Sequence, residues 1–201
     1  MKKVGLLGGT FNPPHMGHLI MANEVFHALE LDEVRFLPNA LPPHKQAPHD
    51  ASDAKRLEMV ERAIHPYPHF RVEPYEVDKG GVSYSYHTLA ALCEREPAVK
   101  FYFIIGGDMI DSLHTWYRID ELVKLVQFVG VKRPSTEART EYPVLMVEVP
   151  QIDLSSTLIR ERLATGRTVT FLLPEAVETF IREEGLYGTR TVFSSDSPPH
   201  A

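Results

Sequence analysis

Residues 8–18 read GGTFNPPHMGH, directly after the short apolar run Val4–Leu7. That run has the composition of a strand. Gly8 and Gly9 carry no Cβ, so the backbone there can approach a ligand closely. Beyond them, Gly17–Leu29 places Leu19, Ile20, Ala22, Val25, Phe26 and Leu29 close to a period of 3.6, which predicts a helix. A strand that hands over to a helix through a glycine-rich turn is a building unit of open α/β sheets. The free amides and dipole at such a helix start favour an anion. The stretch matches neither G-x-G-x-x-G nor the G-x-x-x-x-G-K-[ST] loop. A Rossmann dehydrogenase and a P-loop phosphotransferase both lose support.

His15 and His18 stand three apart, so both can lie on one face of the first helical turn. Zinc would want a further Cys, His or carboxylate at recognisable spacing, and none is evident. The pair could cap the helix or sit on the surface. Alternatively, both rings point at an anion held over the helix start. The glycines before them favour phosphate chemistry.

Strand signals recur at Val34–Leu37, Phe70–Glu73, Phe101–Ile105, Phe128–Val131 and Leu145–Val149. Helical patterns lie between most of them, over Asp53–Ile64, Tyr86–Glu94 and Ile119–Val126. The alternation predicts an α/β fold, a Rossmann-like, doubly wound, mostly parallel sheet with helices on both faces. FYFIIGGD, residues 101–108, is apolar on both faces and reads as a central strand. Ser155–Ala164 and Pro174–Glu184 read as two more helices, the second with proline at its start and Gly185 past its end. They are expected to form a small C-terminal helical subdomain, about 150–188, of a single domain spanning 1–188. Residues 189–201 are polar with prolines and are expected to be a disordered tail. Segment 38–54 holds four prolines and no period, and loops that long are often functional. Open parallel sheets bind ligands outside the carboxyl ends of their strands. That loop, GGTFNPPH, the GGD turn and the segment after KRP are therefore expected around one crevice.

The chain has 201 residues, 43% of them hydrophobic and 24% charged, a globular composition. Its net charge of −6, with ten histidines counted neutral, argues against a general nucleic-acid binder. The single cysteine, Cys93, excludes an internal disulfide and fits a reducing compartment. The N-terminal apolar run is too short for a signal peptide. No stretch approaches the roughly 20 apolar residues of a membrane span. The expectation is a cytoplasmic protein with neither nucleic acid nor membrane as partner.

GGTFNPPHMGH resembles the G-G-T-F-[DN]-P-x-H-x-G-H signature of the nucleotidyltransferase superfamily, which includes the class I aminoacyl-tRNA synthetases with their H-I-G-H box. Ser155-Ser156-Thr157-Leu158-Ile159-Arg160, about 140 residues downstream, resembles its S-S-T-x-I-R box. Two matches in the right order are far more specific than either alone. Within the superfamily the chain most resembles the bacterial nicotinate mononucleotide adenylyltransferases, from residue 3 to about 188. PNALPPHK (38–45), SYSYHT (83–88), FIIGGDM (103–109), Trp116-Tyr117 and VKRP (131–134) stand where that family has similar stretches. The resemblance implies that ATP and nicotinate mononucleotide are joined, with magnesium, to give nicotinate adenine dinucleotide and pyrophosphate.

It also implies roles for individual residues. The nucleophile is a phosphate oxygen, already an anion, so alignment and positive charge are what the reaction requires. His18 would donate to the ATP α-phosphate, with His15 and the Thr10 hydroxyl on neighbouring oxygens. Gly8, Gly9 and Phe11 complete the loop. Arg160, in the helix opened by Ser156 and Thr157, would take the β and γ phosphates. Lys45 would meet phosphate in the crevice and joins His18, His15 and Arg160 as catalytic. Gly106 and Asp108 would serve the adenosine, Asp108 by accepting from a ribose hydroxyl, by serving as the N-cap of a helix over residues 109–113, or both. Trp116 would stack on the pyridine or belong to the core. The Tyr84 and Ser85 amides would hold the nicotinate carboxylate. Asn39, Met109, Tyr117 and Arg133 would complete that pocket.

Three positions depart from the family pattern. Asn12 and His87 replace a common aspartate, and Ser85 a common threonine. Asn12 is read as a loop-shaping residue. A tRNA synthetase is excluded by size and by the missing K-M-S-K-S motif. Another small-substrate adenylyl- or cytidylyltransferase and a non-catalytic nucleotide sensor stand as alternatives. The oligomeric state is open, with a homodimer among the options.

Overall fold

A computed structural model describes residues 1–40, 51–82, 84–132, 140–150 and 152–189. Strand β1 (Lys2–Gly9) leads through the glycine loop into helix α1 (Met16–Ala28). The chain continues as β2 (Glu33–Pro38), α2 (Asp53–Ile64), β3 (Phe70–Val72), α3 (Tyr75–Lys79) and α4 (Ser85–Arg95). Then come β4 (Val99–Gly106), α5 (Gly107–Ile110), a 3-10 turn at Leu113–Thr115, α6 (Ile119–Leu125), β5 (Gln127–Lys132) and β6 (Val144–Glu148). It closes with α7 (Ser156–Ala164), α8 (Glu175–Glu183) and a 3-10 turn at Leu186–Gly188.

Among the described residues the strands form one six-stranded sheet in the order β3-β2-β1-β4-β5-β6. All five pairings are parallel. The order reverses between β1 and β4, and open α/β sheets take ligands at such a switch point, outside the carboxyl ends of the strands. The register sets Gly9 beside Pro38, Leu7 beside Ile104 and Gly106 beside Val131. The loop after β1, the start of the loop after β2 and the turn after β4 therefore emerge side by side.

Parallel strands need cover on both faces. On one side Leu7, Phe36 and Ile104 pack with Ala22 and Val25 of α1, Met59 and Val60 of α2, Ile159 of α7 and Ile181 of α8. On the other, Leu6, Phe101, Phe103 and Phe128 pack with Leu89 and Leu92 of α4 and Leu122 of α6. Helices α7 and α8 thus share the core of α1 and α2. The expected strands all form, within a residue or two at each end. Helix α3 was not expected, because five residues are too few to show a helical period, and α5 begins two residues before the helix expected over 109–113. Lys45, Arg133, the tail beyond Thr189 and residues 41–50 of the long loop lie outside the described residues. No helix of the described residues is long and apolar enough to cross a membrane.

Candidate active site

Helix α1 opens at Met16, with His15 as its N-cap in extended backbone. The His15 backbone N–H donates to His18 Nδ1 at 3.1 Å, and the two imidazoles stack with centroids 3.7 Å apart. In a neutral imidazole one nitrogen accepts and the other carries the hydrogen. His18 Nδ1 accepts here, so Nε2 is the donor. Burial first, and the neighbouring His15 second, push His18 well below the ordinary imidazole value. Burial alone lowers His15 to about 4. Both rings are neutral at pH 7. The buried His15 Nδ1 has no partner among the described residues.

Glycine between the two histidines has a steric cause, since a Cβ on Gly17 would stand 3.1 Å from the His15 ring. Phe11 adopts a left-handed backbone (φ 49°) and buries its ring against Phe36 and edge-on to His18. A Cβ on Gly9 would come within 3.0 Å of that ring. Phe11 can therefore meet a ligand only through its backbone, whereas Gly8 and Thr10 are exposed. One amide that the sequence leaves free is taken, because Met16 N–H donates to the Leu172 carbonyl at 3.0 Å.

The distant serine-rich box docks on this loop. Ser155 caps α7, its Oγ accepting from Leu158 N–H at 3.2 Å. Ser156 Oγ donates to the Pro13 carbonyl at 2.8 Å. Arg160 Nη1 donates to the Asn12 carbonyl at 2.8 Å, and Nη2 to Thr157 Oγ1 at 3.3 Å. Tyr187 Oη donates to the Asn12 side-chain carbonyl at 2.6 Å. Asn12 is buried and held through both its backbone and its side chain. Sequence reasoning passed over Tyr187, which lies 175 residues from its partner. It also passed over Arg56, which donates to the Thr10 and Asn39 carbonyls. An arginine in a first helical turn looks like any solvated residue, and only its burial marks it out.

The second set of expected residues gathers around an aromatic cluster. Tyr84 and Tyr117 have ring centroids 5.0 Å apart, and His87 lies 5.5 Å from Tyr117. Tyr84 is the N-cap of α4, which begins at Ser85 without a side-chain cap. Met109 and Tyr117 are exposed. Trp116 is partly buried, edge-on to Phe103 and Phe128 at 6.1 and 6.0 Å, so it belongs to the core and also borders the surface. Phe103 reaches the other cluster as well, 3.4 Å from where a Gly8 Cβ would be. Asn39 N–H donates to the Gly9 carbonyl at 3.0 Å, and its buried Oδ1 has no partner among the described residues. Gly106 ends β4 and is itself the N-cap of α5, so Asp108 lies inside that helix rather than capping one over 109–113, and its side chain lies outside the described residues.

The side chains gathered on the glycine loop are N–H donors, hydroxyls and a guanidinium, which suit phosphate oxygens rather than a bare cation. Among the described residues no group of three or more His, Cys, Asp or Glu could hold a metal ion. Residues 6–162 match the family described as cytidylyltransferase-like. The chain is 53% identical over 191 residues to the "Probable nicotinate-nucleotide adenylyltransferase" of Geobacillus thermodenitrificans, covering 95% of this chain and 88% of that one. It is 53% identical over 186 residues to the protein of the same description from Lactiplantibacillus plantarum, covering 92% and 88%. In three dimensions it matches "Plasmodium falciparum nicotinic acid mononucleotide adenylyltransferase complexed with NaAD" with a TM-score of 0.78 at 17% identity, over 94% of this chain and 99% of that one. At that identity the match speaks for the fold alone.

Proposed function

This chain belongs to the cytidylyltransferase-like family, and from that premise we propose its reaction: transfer of the adenylyl group of ATP to nicotinate mononucleotide, giving nicotinate adenine dinucleotide and pyrophosphate. Relatives at 53% identity over most of the chain bear that activity in their names. The observation that carries the reading is the docking of Ser156 and Arg160 on the loop that presents His18. It gathers donors for a triphosphate at the switch point of the sheet.

A phosphate oxygen of the mononucleotide attacks the ATP α-phosphorus. The new P–O bond forms as the bond to the bridging oxygen breaks, and pyrophosphate leaves with the electron pair. No base is needed, because the nucleophile is already ionised. His18 Nε2–H donates to the α-phosphate, where charge accumulates. His15, the Thr10 hydroxyl and the amides of Gly8, Gly9 and Phe11 line the neighbouring oxygens. Among the described residues Arg160 directs two of its five N–H groups at Asn12 and Thr157, and its others are offered to the β and γ phosphates alongside the Ser156 amide, Thr157 and Lys45. Gly106 and Asp108 serve the adenosine. Asn39, Lys45, Tyr84, Ser85, Met109, Trp116, Tyr117 and Arg133 hold the mononucleotide, with the start of α4 favouring its carboxylate. Magnesium, carried on the ATP phosphates, supplies charge neutralisation. Both substrates are water-soluble metabolites, which fits a cytoplasmic place of work.

A coupled pyrophosphate assay tests the reading with nicotinate and nicotinamide mononucleotides side by side. Release is expected with ATP, magnesium and the acid, and far less with the amide. Protein that binds ATP and releases no pyrophosphate with the acid would overturn it. Release only with phosphopantetheine or a phospho-alcohol would favour another transferase.

A further inference from the structure

Arg56 sits in the first turn of α2, and its side chain is fully buried. The guanidinium leaves its own helix to reach two carbonyls. Nη1 donates to Thr10 O in the loop after β1, and Nη2 donates to Asn39 O just past β2. Nη2 also pairs with the Asp53 carboxylate at 2.8 Å. Asn39 N–H to Gly9 O, at 3.0 Å, closes a ring of contacts through Gly9, Thr10, Arg56 and Asn39. Nε is buried with no partner among the described residues.

Burying a guanidinium costs several kcal/mol of lost hydration, and an apolar side chain of like volume is often as stabilising. Stability alone therefore gives no reason for arginine here. A planar fork does what an apolar chain cannot, because it holds two acceptors at one separation and in one plane. In the reaction proposed above, Thr10 belongs to the ATP loop and Asn39 opens the mononucleotide loop. We propose that Arg56 is a positioning residue for the transfer. It sets the separation of those two loops before either substrate arrives, and touches neither substrate. The inference rests on the proposed reaction, whose in-line attack depends on that separation. A misplacement of about 1 Å can cost about 10² in rate.

Two variants of the full chain test it, R56M and R56A, each assayed well below its own melting midpoint. R56M is expected to turn over about 10²-fold more slowly than wild type, with KM for each substrate changed about threefold or less. R56A is expected to recover turnover with millimolar guanidinium, which can occupy the vacated space. R56M should show no such rescue, because methionine fills that space. Near-wild-type turnover in folded R56M would overturn the inference. So would activity lost only in proportion to folded protein, or the same response to guanidinium in both variants. If neither variant folds, Arg56 is a structural staple and the inference also fails. A wild type that releases no pyrophosphate defeats the proposed reaction itself, whereas an active wild type with an equally active R56M defeats this inference alone.

Discussion

At His18 the useful state is the neutral one, with Nδ1 occupied by the His15 backbone N–H and the Nε2 hydrogen left as donor. His18→Ala should lower kcat by about 10²–10³, the usual cost of losing one preorganised donor, while ATP-analogue affinity changes much less. Titration calorimetry beside steady-state kinetics separates the two effects, and an equally active variant would remove His18 from the mechanism. The depressed histidines also predict a pH dependence of stability. Between its folded value of about 4 and its ordinary 6.5, His15 binds fewer protons in the folded chain than in the unfolded one. Stability therefore rises with pH across that window and is lost as pH falls through it, and His18 adds in the same direction. Urea midpoints should drop between about pH 7 and about pH 5, and His15→Asn should flatten the slope. An unchanged slope in that variant would assign the loss to other groups.

Helix α1 shows how a residue that is poor for its element can be right for its site. Glycine in a helix is less favourable than alanine by about 1 kcal/mol, yet a Cβ at Gly17 would press on the His15 ring at 3.1 Å. Gly17→Ala should keep or raise the melting temperature while lowering kcat about tenfold through the displaced ring. Calorimetry and kinetics on one preparation would show the split, and unchanged kcat would mean the ring yields without consequence. Long elements were legible from periodicity. The buried residues Leu19, Ala22 and Val25 of α1 all lie on the predicted apolar face. Short ones were not legible that way: α3 spans too few residues to repeat a pattern, and α5 was marked only by a capping residue type, which put its start two residues late. A helix start is legible as residue types only. That Leu172 takes an α1 amide depends on how the chain returns from α7.

Across the whole molecule, α7 and α8 supply side chains to the core beneath the glycine loop, so the site and the C-terminal helices share one apolar cluster. Ile181 is fully buried in α8. Ile181→Ala should cost about 2–5 kcal/mol in denaturant unfolding and leave kcat per folded molecule about unchanged. A fall in kcat beyond the loss of folded protein would show that α8 positions the site as well as supporting it. The alternation of strand and helix, the glycine turn and the two histidine- and serine-bearing boxes were determined by sequence alone. Periodicity, turn chemistry and motif are properties of neighbouring residues, which the chain carries whether folded or not. Only the tertiary structure decided that the boxes touch, that Tyr187 holds Asn12 from 175 residues away, and that Arg56 joins Thr10 to Asn39. Those pairings arise where packing brings distant backbone carbonyls and side-chain donors together, and most polar groups that packing withdraws from water find a partner there because an unmade hydrogen bond costs free energy.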